Sequence, residues 1–332
     1  MLIAAVAFGA GLVVSGDEPE PAPAPPGPEG LSEVRCDRVH TAGGGVEAFV
    51  SGLEAGETGC LRAGVHPIEG VATIEAPGVV LTSYPGETAT LAGRLWIKRG
   101  ADGVRVEDLV LEGRNPQGRP SPTVNANDVV FRGNDVSNEH TAICFVIGDD
   151  QYGDADGTVI EGNRVHDCGR LPPTNRDHGI YVAHASNTMI RDNLIYDNAD
   201  RGVQLYPDAT GTVVTGNVID GNGEGIIFGG DQDEASSDNV VEGNLITGST
   251  IRFNVESHWQ GPVGSGNAVR GNCLWTSRSD YPGDPAGSGI EPAIDGVRAA
   301  DNIVADPGYA DQPAGDFGLG DDSPCASTVA VP

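Results

Sequence analysis

Three segments of this chain hold the residue types that acid–base chemistry requires. NRDHGIYV (175–182) carries Asp177, His178 and Tyr181; DRGVQLY (200–206) carries Asp200, Arg201, Gln204 and Tyr206; GEGIIF (223–228) carries Glu224. An imidazole can take or give a proton near neutral pH. A guanidinium can neutralise a carboxylate or a developing oxyanion. A pair of carboxyl groups can serve as acid and base at a glycosidic bond. The spacing between the segments is too long for one helix face, so a fold that brings them together must be found first.

That fold is written in a repeat. The pattern apolar, any, Gly or Asp, Asn, any, apolar recurs at Asn134, Asn163, Asn193, Asn217, Asn244, Asn272 and Asn302. VRVEDLVL is a weaker earlier member, with Asp108 read in the same place as the asparagines. Apolar residues alternate with period two in short runs, which describes strands and excludes amphipathic helices. A unit of this length holds about three short strands joined by turns, and its variable period suits a solenoid, whose insertions leave through the turns. Stacked asparagines can bond along the ladder and tolerate a left-handed backbone. The expected fold is therefore all-β: a single-stranded right-handed parallel β-helix. It should hold about 8–9 coils between residues 75 and 315, with VEAFVSGLEA (46–55) as an N-terminal capping helix. An irregular segment from about residue 306, held by Cys325, is the expected C-terminal cover.

Within the solenoid, register builds a site. Aligning AICFV (142–146), GIYVA (179–183), GVQLY (202–206), GIIFG (225–229) and IRFNV (251–255) gives an outward place that reads Cys144, Tyr181, Gln204, Ile227, Arg252. Two residues on, it reads Val146, Ala183, Tyr206, Gly229, Asn254. Just upstream stand Thr141, His178, Arg201 and Glu224, preceded by His140, Asp177, Asp200 and Gly223. Neighbouring coils lie about 4.8 Å apart, so these groups converge on one face long enough for an extended oligosaccharide. The expected catalytic set is His178, Tyr181, Arg201, Asp177, Asp200 and Glu224. Substrate contacts are expected from Gln204, Tyr206, Arg252, His140 and Trp259. The insert GRLPPTNRD (169–177) is the expected wall of the site.

Composition narrows the class. There are 19 Lys+Arg against 48 Asp+Glu, for a net charge of −29. Nucleic-acid phosphates are excluded as partners on this ground. Lys98 is the sole lysine and lies about three coils from His178, too far to share its chemistry. Residues 1–16 read as a signal peptide or a short N-terminal anchor, and 17–30 as a Pro-rich linker before a domain spanning 31–332. Six well-separated cysteines fit an oxidising compartment, and pairing in order, Cys36–Cys60, Cys144–Cys168 and Cys273–Cys325, keeps each bridge local. The protein is expected outside the cytosol, as a monomer without a protein partner. No cysteine or histidine cluster has zinc spacing, and no metal ligand is assigned. Calcium is a candidate cofactor only through the acidic loops 148–157 and 230–238.

GLEAGETGCLRAGVHPIEG (52–70) and GVVLTSYPGETATLAG (78–93), followed by the Asn repeat, resemble the secreted right-handed parallel β-helix superfamily. That superfamily includes pectate-lyase-like proteins, alginate lyases and mannuronan epimerases. The resemblance covers most of residues 36–325 and implies the fold more than the reaction. NRDHGIYV resembles the Asp/His/Tyr grouping of the epimerases, but their Asp-Pro-His-Glu string is absent, as are polygalacturonase-type strings. The resemblance implies a polysaccharide substrate. Three readings follow: a lyase or C5-epimerase acting on uronic acid residues, an inverting hydrolase using paired carboxylates on a neutral glycan, and a non-catalytic glycan-binding or structural solenoid. Outward polar residues on a solenoid are often no more than a solvated face, and the acidity favours a neutral glycan.

Overall fold

The computed structural model describes residues 35–278 and 287–328. The expected leader, the Pro-rich linker and the start of the domain, residues 1–34, lie outside the described residues. The chain winds through three parallel sheets. The first has 11 strands, from Arg38–His40 to Val297–Ala300; the second has 10, from Gly64–Pro67 to Ile303–Val304. A third runs from Ala72–Ile74 to Val255–Trp259, with the short strand Ala155–Asp156 beside it. Each coil from Thr58 to Trp259 visits the three in turn. Between residues 75 and 315 the first sheet has nine strands, and two more, Arg38–His40 and Thr58–Leu61, precede them. The solenoid is thus slightly longer than the Asn repeat alone marks.

The turn from the first sheet to the second explains the repeat. The residue before each anchor asparagine (Gly133, Gly162, Asp192, Gly216, Gly243, Gly271 and Asp301) has φ between 55° and 69°. Glycine, or aspartate bonding locally, adopts that left-handed backbone most readily. The asparagine then turns inward. Asn217 donates its Nδ2 to Ile190 O and to Asn244 Oδ1, each at 2.9 Å, and its Oδ1 accepts from the backbone and side chain of Asn193. The same links run unbroken from Asn134 to Asn302. Asp108 belongs one place earlier than expected: its φ of 52° aligns it with Gly133, and Leu109 takes the asparagine place. A second ladder, Asn198 on Asn222, closes the turn into the third sheet. A third, Asn239 on Asn267, closes the turn back to the first.

Alternate residues of all three sheets point inward and form one continuous apolar core. Phe131 meets Phe145 edge-on, with centroids 5.0 Å apart. Burying each such side chain stabilises the fold by about 1.5–3 kcal/mol. The helix Val46–Ser51 buries Val46, Phe49 and Val50 against the first coils. At the other end, Trp259, Ile290, Ile294 and Val297 pack against the core. The C-terminal segment therefore does not close the stack as expected. Its antiparallel hairpin, Tyr309–Asp311 with Asp316–Leu319, lies against the second sheet, where Phe317 packs on Tyr196 and joins Val218 and Leu245. The three disulfides pair in order, Cys36–Cys60, Cys144–Cys168 and Cys273–Cys325. Among the described residues no helix is long and apolar enough to cross a membrane.

Candidate functional site

The central register of the third sheet is the expected one: Tyr181 pairs with Gln204, Gln204 with Ile227, and Arg201 with Glu224. The flanks differ. Val146, not Cys144, stands beside Tyr181, and Cys144 is turned inward into its disulfide. Glu256, not Arg252, stands beside Ile227. In both cases the loop before the strand contains an apolar residue, Ile143 or Phe253, that imitates the strand pattern.

A cleft of about 440 Å³ opens on this face. His178, Tyr181, Arg201, Gln204 and Tyr206 line it, as expected. Asn175, Arg176, Ile227, His258 and Gln260 complete it. Its lining has two arginines, two histidines and two tyrosines, and no carboxylate among the described residues.

Asp177 and Asp200 do other work. Asp177 accepts two hydrogen bonds from Arg170, at 2.7 and 3.0 Å, and one from Thr174. Asp200 accepts from the backbone N–H groups of Arg176 and Asp177, at 2.7 and 2.8 Å. Both carboxylates fold the 169–177 insert over the sheet. Neither bonds the His178 imidazole, so the expected orienting carboxylate is not there. Burial, and next the charge of Arg201, lower the His178 pKa well below its ordinary value. Its buried Nδ1 has no hydrogen-bond partner. His178 is a neutral imidazole at neutral pH. The Tyr181 ring meets it edge-on at 5.6 Å. Burial, then the neighbouring Tyr206, raises the Tyr181 phenol and keeps it protonated.

Beside the cleft lies a box of two arginines and two glutamates, in which Arg201, Glu224 and Glu256 are buried and Arg252 is exposed. Arg201 Nε is 2.8 Å from Glu224 Oε2, and Arg201 Nη2 is 3.4 Å from Glu256 Oε1. Arg252 donates to Glu224 at 2.7 Å and to Glu256 at 2.9 Å. The Arg201–Glu224 contact is a charge pair without hydrogen-bond alignment, since both atoms lack a bonded partner. Asn175, on the insert, holds Arg201 from above through its side chain at 2.6 Å and its carbonyl at 3.2 Å. Burial drives the Glu224 carboxyl up, but hydrogen bonds from Arg252 and Glu256 and the two arginine charges hold it below its ordinary value. Burial, its hydrogen bond with Glu224 and that group's charge push Glu256 up to about 8. Glu224 is the ionised member and Glu256 the protonated one, so at neutral pH the box keeps a net positive charge.

The remaining expected contacts lie elsewhere. Arg252 braces the box from outside the cleft lining. His140 sits on a turn with φ 57° and contacts Asp167 at 3.2 Å. Trp259 points to the core side, its Nε1 donating to Asp295 O, while its strand neighbours His258 and Gln260 face the cleft. Strand alternation predicts that choice once the register starts at Val255. Farther along the strands, His184, Asp208 and Glu234 bring ligand atoms within 4.8 Å of one another. Only Glu234 comes from the two acidic loops. One imidazole and two carboxylates are a poor set for calcium, which takes six to eight oxygens.

The sequence profile described as right handed beta helix region matches residues 123–290, just over half of the chain. No curated protein matches the sequence. Among solved structures, a pectate lyase superposes with a TM-score of 0.58 at 10% identity, over 88% of this chain and 91% of that one. An alginate lyase from Paenibacillus sp. gives 0.51 at 12% identity, over 80% and 99%. The Dettilon tailspike protein gives 0.50 at 11% identity, over 81% of this chain and 60% of that one. At such identities the superpositions speak to the fold, and together with the matched profile they mean that this chain belongs to the right-handed β-helix family.

Proposed function

We propose that the protein is a polysaccharide lyase that cleaves a uronic-acid-containing glycan by β-elimination. One observation carries the reading: in a chain of net charge −29, the cleft is lined by arginine, histidine and tyrosine with no carboxylate among the described residues. Such a lining suits an anionic sugar. The expected inverting pair is missing from it, because Asp177 and Asp200 hold the insert and Glu224 is tied to two arginines. The fold neighbours, whose names include a pectate lyase and an alginate lyase, fit the same reading.

In the reaction, Arg201 faces the uronate carboxylate and withdraws charge as the C5–H bond weakens. Neutral His178 takes the C5 proton. The electron pair forms the C4–C5 double bond, the C4–O bond breaks, and the leaving oxygen takes the Tyr181 proton. Solvent then returns the proton to Tyr181 and removes it from His178. A C5-epimerase would use the same groups and return the proton to the opposite face. The three disulfides support a place outside the cytosol.

The test is a panel of polyuronates and neutral glycans, followed by ultraviolet absorbance of the unsaturated product and by reducing ends. Absorbance rising together with new ends is the expected result. New ends without absorbance mean a hydrolase, and exchange of the C5 proton without cleavage means an epimerase. Retention on a glycan column with no chemistry means a binding protein.

A further inference from the structure

The outward face of the third sheet continues beyond the cleft toward the N-terminal coils. Register links Trp96 to Thr123, Thr123 to Val146, and Val146 to Tyr181. Trp96 thus stands three strands from Tyr181, about 14 Å and roughly the span of three sugar residues. Its indole Nε1 donates to Asn125 at 2.7 Å, and exposed Tyr152 meets it edge-on with centroids 5.3 Å apart. The Arg94 guanidinium lies 5.4 Å from the Trp96 ring centroid.

Lys98, 5.5 Å from the Trp96 centroid, pairs with Glu75 at 2.6 Å, but three other cations along this edge lack such a partner. On the outer face of the first sheet, Arg132 and Arg191 share Glu161, and Arg270 pairs with Glu242 at 2.8 Å. Arg94, Arg119 and Arg176 make no ion pair among the described residues. All three sit on the approach to a third-sheet strand, and Arg201 opens one. Burial and the charge of Arg119 both disfavour the charged form of Arg94, whose Nε is buried without a partner. With 48 acidic residues in the chain, two mutually repelling arginines that pair with no carboxylate among the described residues leave a positive spot that an outside anion would relieve.

We propose that Arg94, Arg119 and Trp96 form a distal subsite for an anionic sugar residue of the same glycan chain whose uronate lies against Arg201. This rests on the lyase reading and deepens it. The glycan runs along the solenoid axis: Trp96 stacks on one ring, Arg94 and Arg119 hold its carboxylate, and about three residues bridge to the cleft.

The test titrates oligouronates of increasing length into the His178→Ala protein by calorimetry, so that binding is read without cleavage. Affinity should step up by about tenfold once the oligomer is long enough to reach both places. The added double substitution Arg94→Gln/Arg119→Gln should remove the step and leave the shortest binding oligomer unaffected. Trp96→Ala should do the same, with Trp96→Phe restoring most of it. If short oligomers bind and the step is missing, or survives the double substitution, the distal subsite falls and the cleft reading stands. If no oligouronate binds at any length, both fall. If a sulfated glycan shows the step and oligouronates do not, the subsite belongs to another polyanion and the proposal is overturned.

Discussion

Two edges of the same solenoid follow opposite rules. The turn from the first to the second sheet has the same length in every coil that carries an anchor asparagine, and hydrogen bonds to the next coil fill it. The approach to the third sheet varies from residues 93–94 to residues 167–179. Along the first edge a ladder pins register, so an insertion would break bonds on two neighbours. Along the second, among the described residues only Asn198–Asn222 stack in this way, and the longer approaches fold outward and build a wall over the sheet. One edge holds the stack together, and the other is free to carry chemistry.

Substitutions on the two edges should therefore separate activity from stability. The largest effect is expected from His178→Ala, which should lower turnover by about a hundredfold to ten-thousandfold while the melting temperature stays near that of the parent. Retention of more than about a tenth of the parental rate would move the chemistry out of this cleft.

Asn217→Ala should behave the other way. It removes the acceptor of the Asn193 backbone N–H and of one Asn193 amide hydrogen inside the stack, which should cost about 3 kcal/mol in denaturant unfolding. Turnover per folded molecule should be unchanged. A loss of activity with no loss of stability would mean that the ladder feeds the cleft directly.

A smaller effect is expected from pH. His178 has a lowered pKa, so the acid limb of the rate profile should fall below pH 6.5, its ordinary value. Glu256, raised to about 8, should ionise on the alkaline side and add negative charge beside Arg201. The Michaelis constant for a uronate should then rise across that region, and Glu256→Gln should flatten the rise. The stability sign is fixed as well: the folded state binds more protons at Glu256 than the unfolded state, so its contribution is lost as pH rises from 4.5 toward about 8. A Glu256→Gln profile identical to the parent would remove Glu256 from the account.

The smallest effect should come from Arg270→Ala. Its pair with Glu242 is about half exposed on both sides and should contribute no more than about 0.5 kcal/mol. A larger loss would mean that the alternating charges of the first sheet act as a network.

The same contrast explains what was legible in the sequence. The left-handed residue and its asparagine recur in every coil from Gly133 onward, because backbone geometry leaves few substitutes, so the fold and most of the coil count could be read. The two coils before Ala72 lack the asparagine and escaped the count. Around the site, register was readable from Ile180 through Phe228, even though the approach to Ile180 is the longest. Ile143 and Phe253 blurred it on either side. Asp177 and Asp200 have the residue type of a catalytic pair, yet their lone pairs are filled by Arg170 and by backbone donors. Glu256 carried no marker because the loop before Val255 hides its place in the strand. Arg94 and Arg119 look ordinary in sequence; only the packed structure shows that neither makes an ion pair among the described residues.

The second asparagine ladder also bears on how the molecule ages. Asn222 precedes Gly223, the neighbour that most favours cyclisation of an asparagine side chain onto the next backbone nitrogen, with loss of ammonia. That attack needs a free Gly223 N–H and a mobile amide. Here Gly223 N donates to Asn198 O at 3.0 Å. Asn222 Oδ1 accepts from the Asn198 backbone and side chain, and its Nδ2 donates to Ile195 O at 2.9 Å. Deamidation at this position must wait for the coil to open, so its rate is a clock for local unfolding beside the cleft.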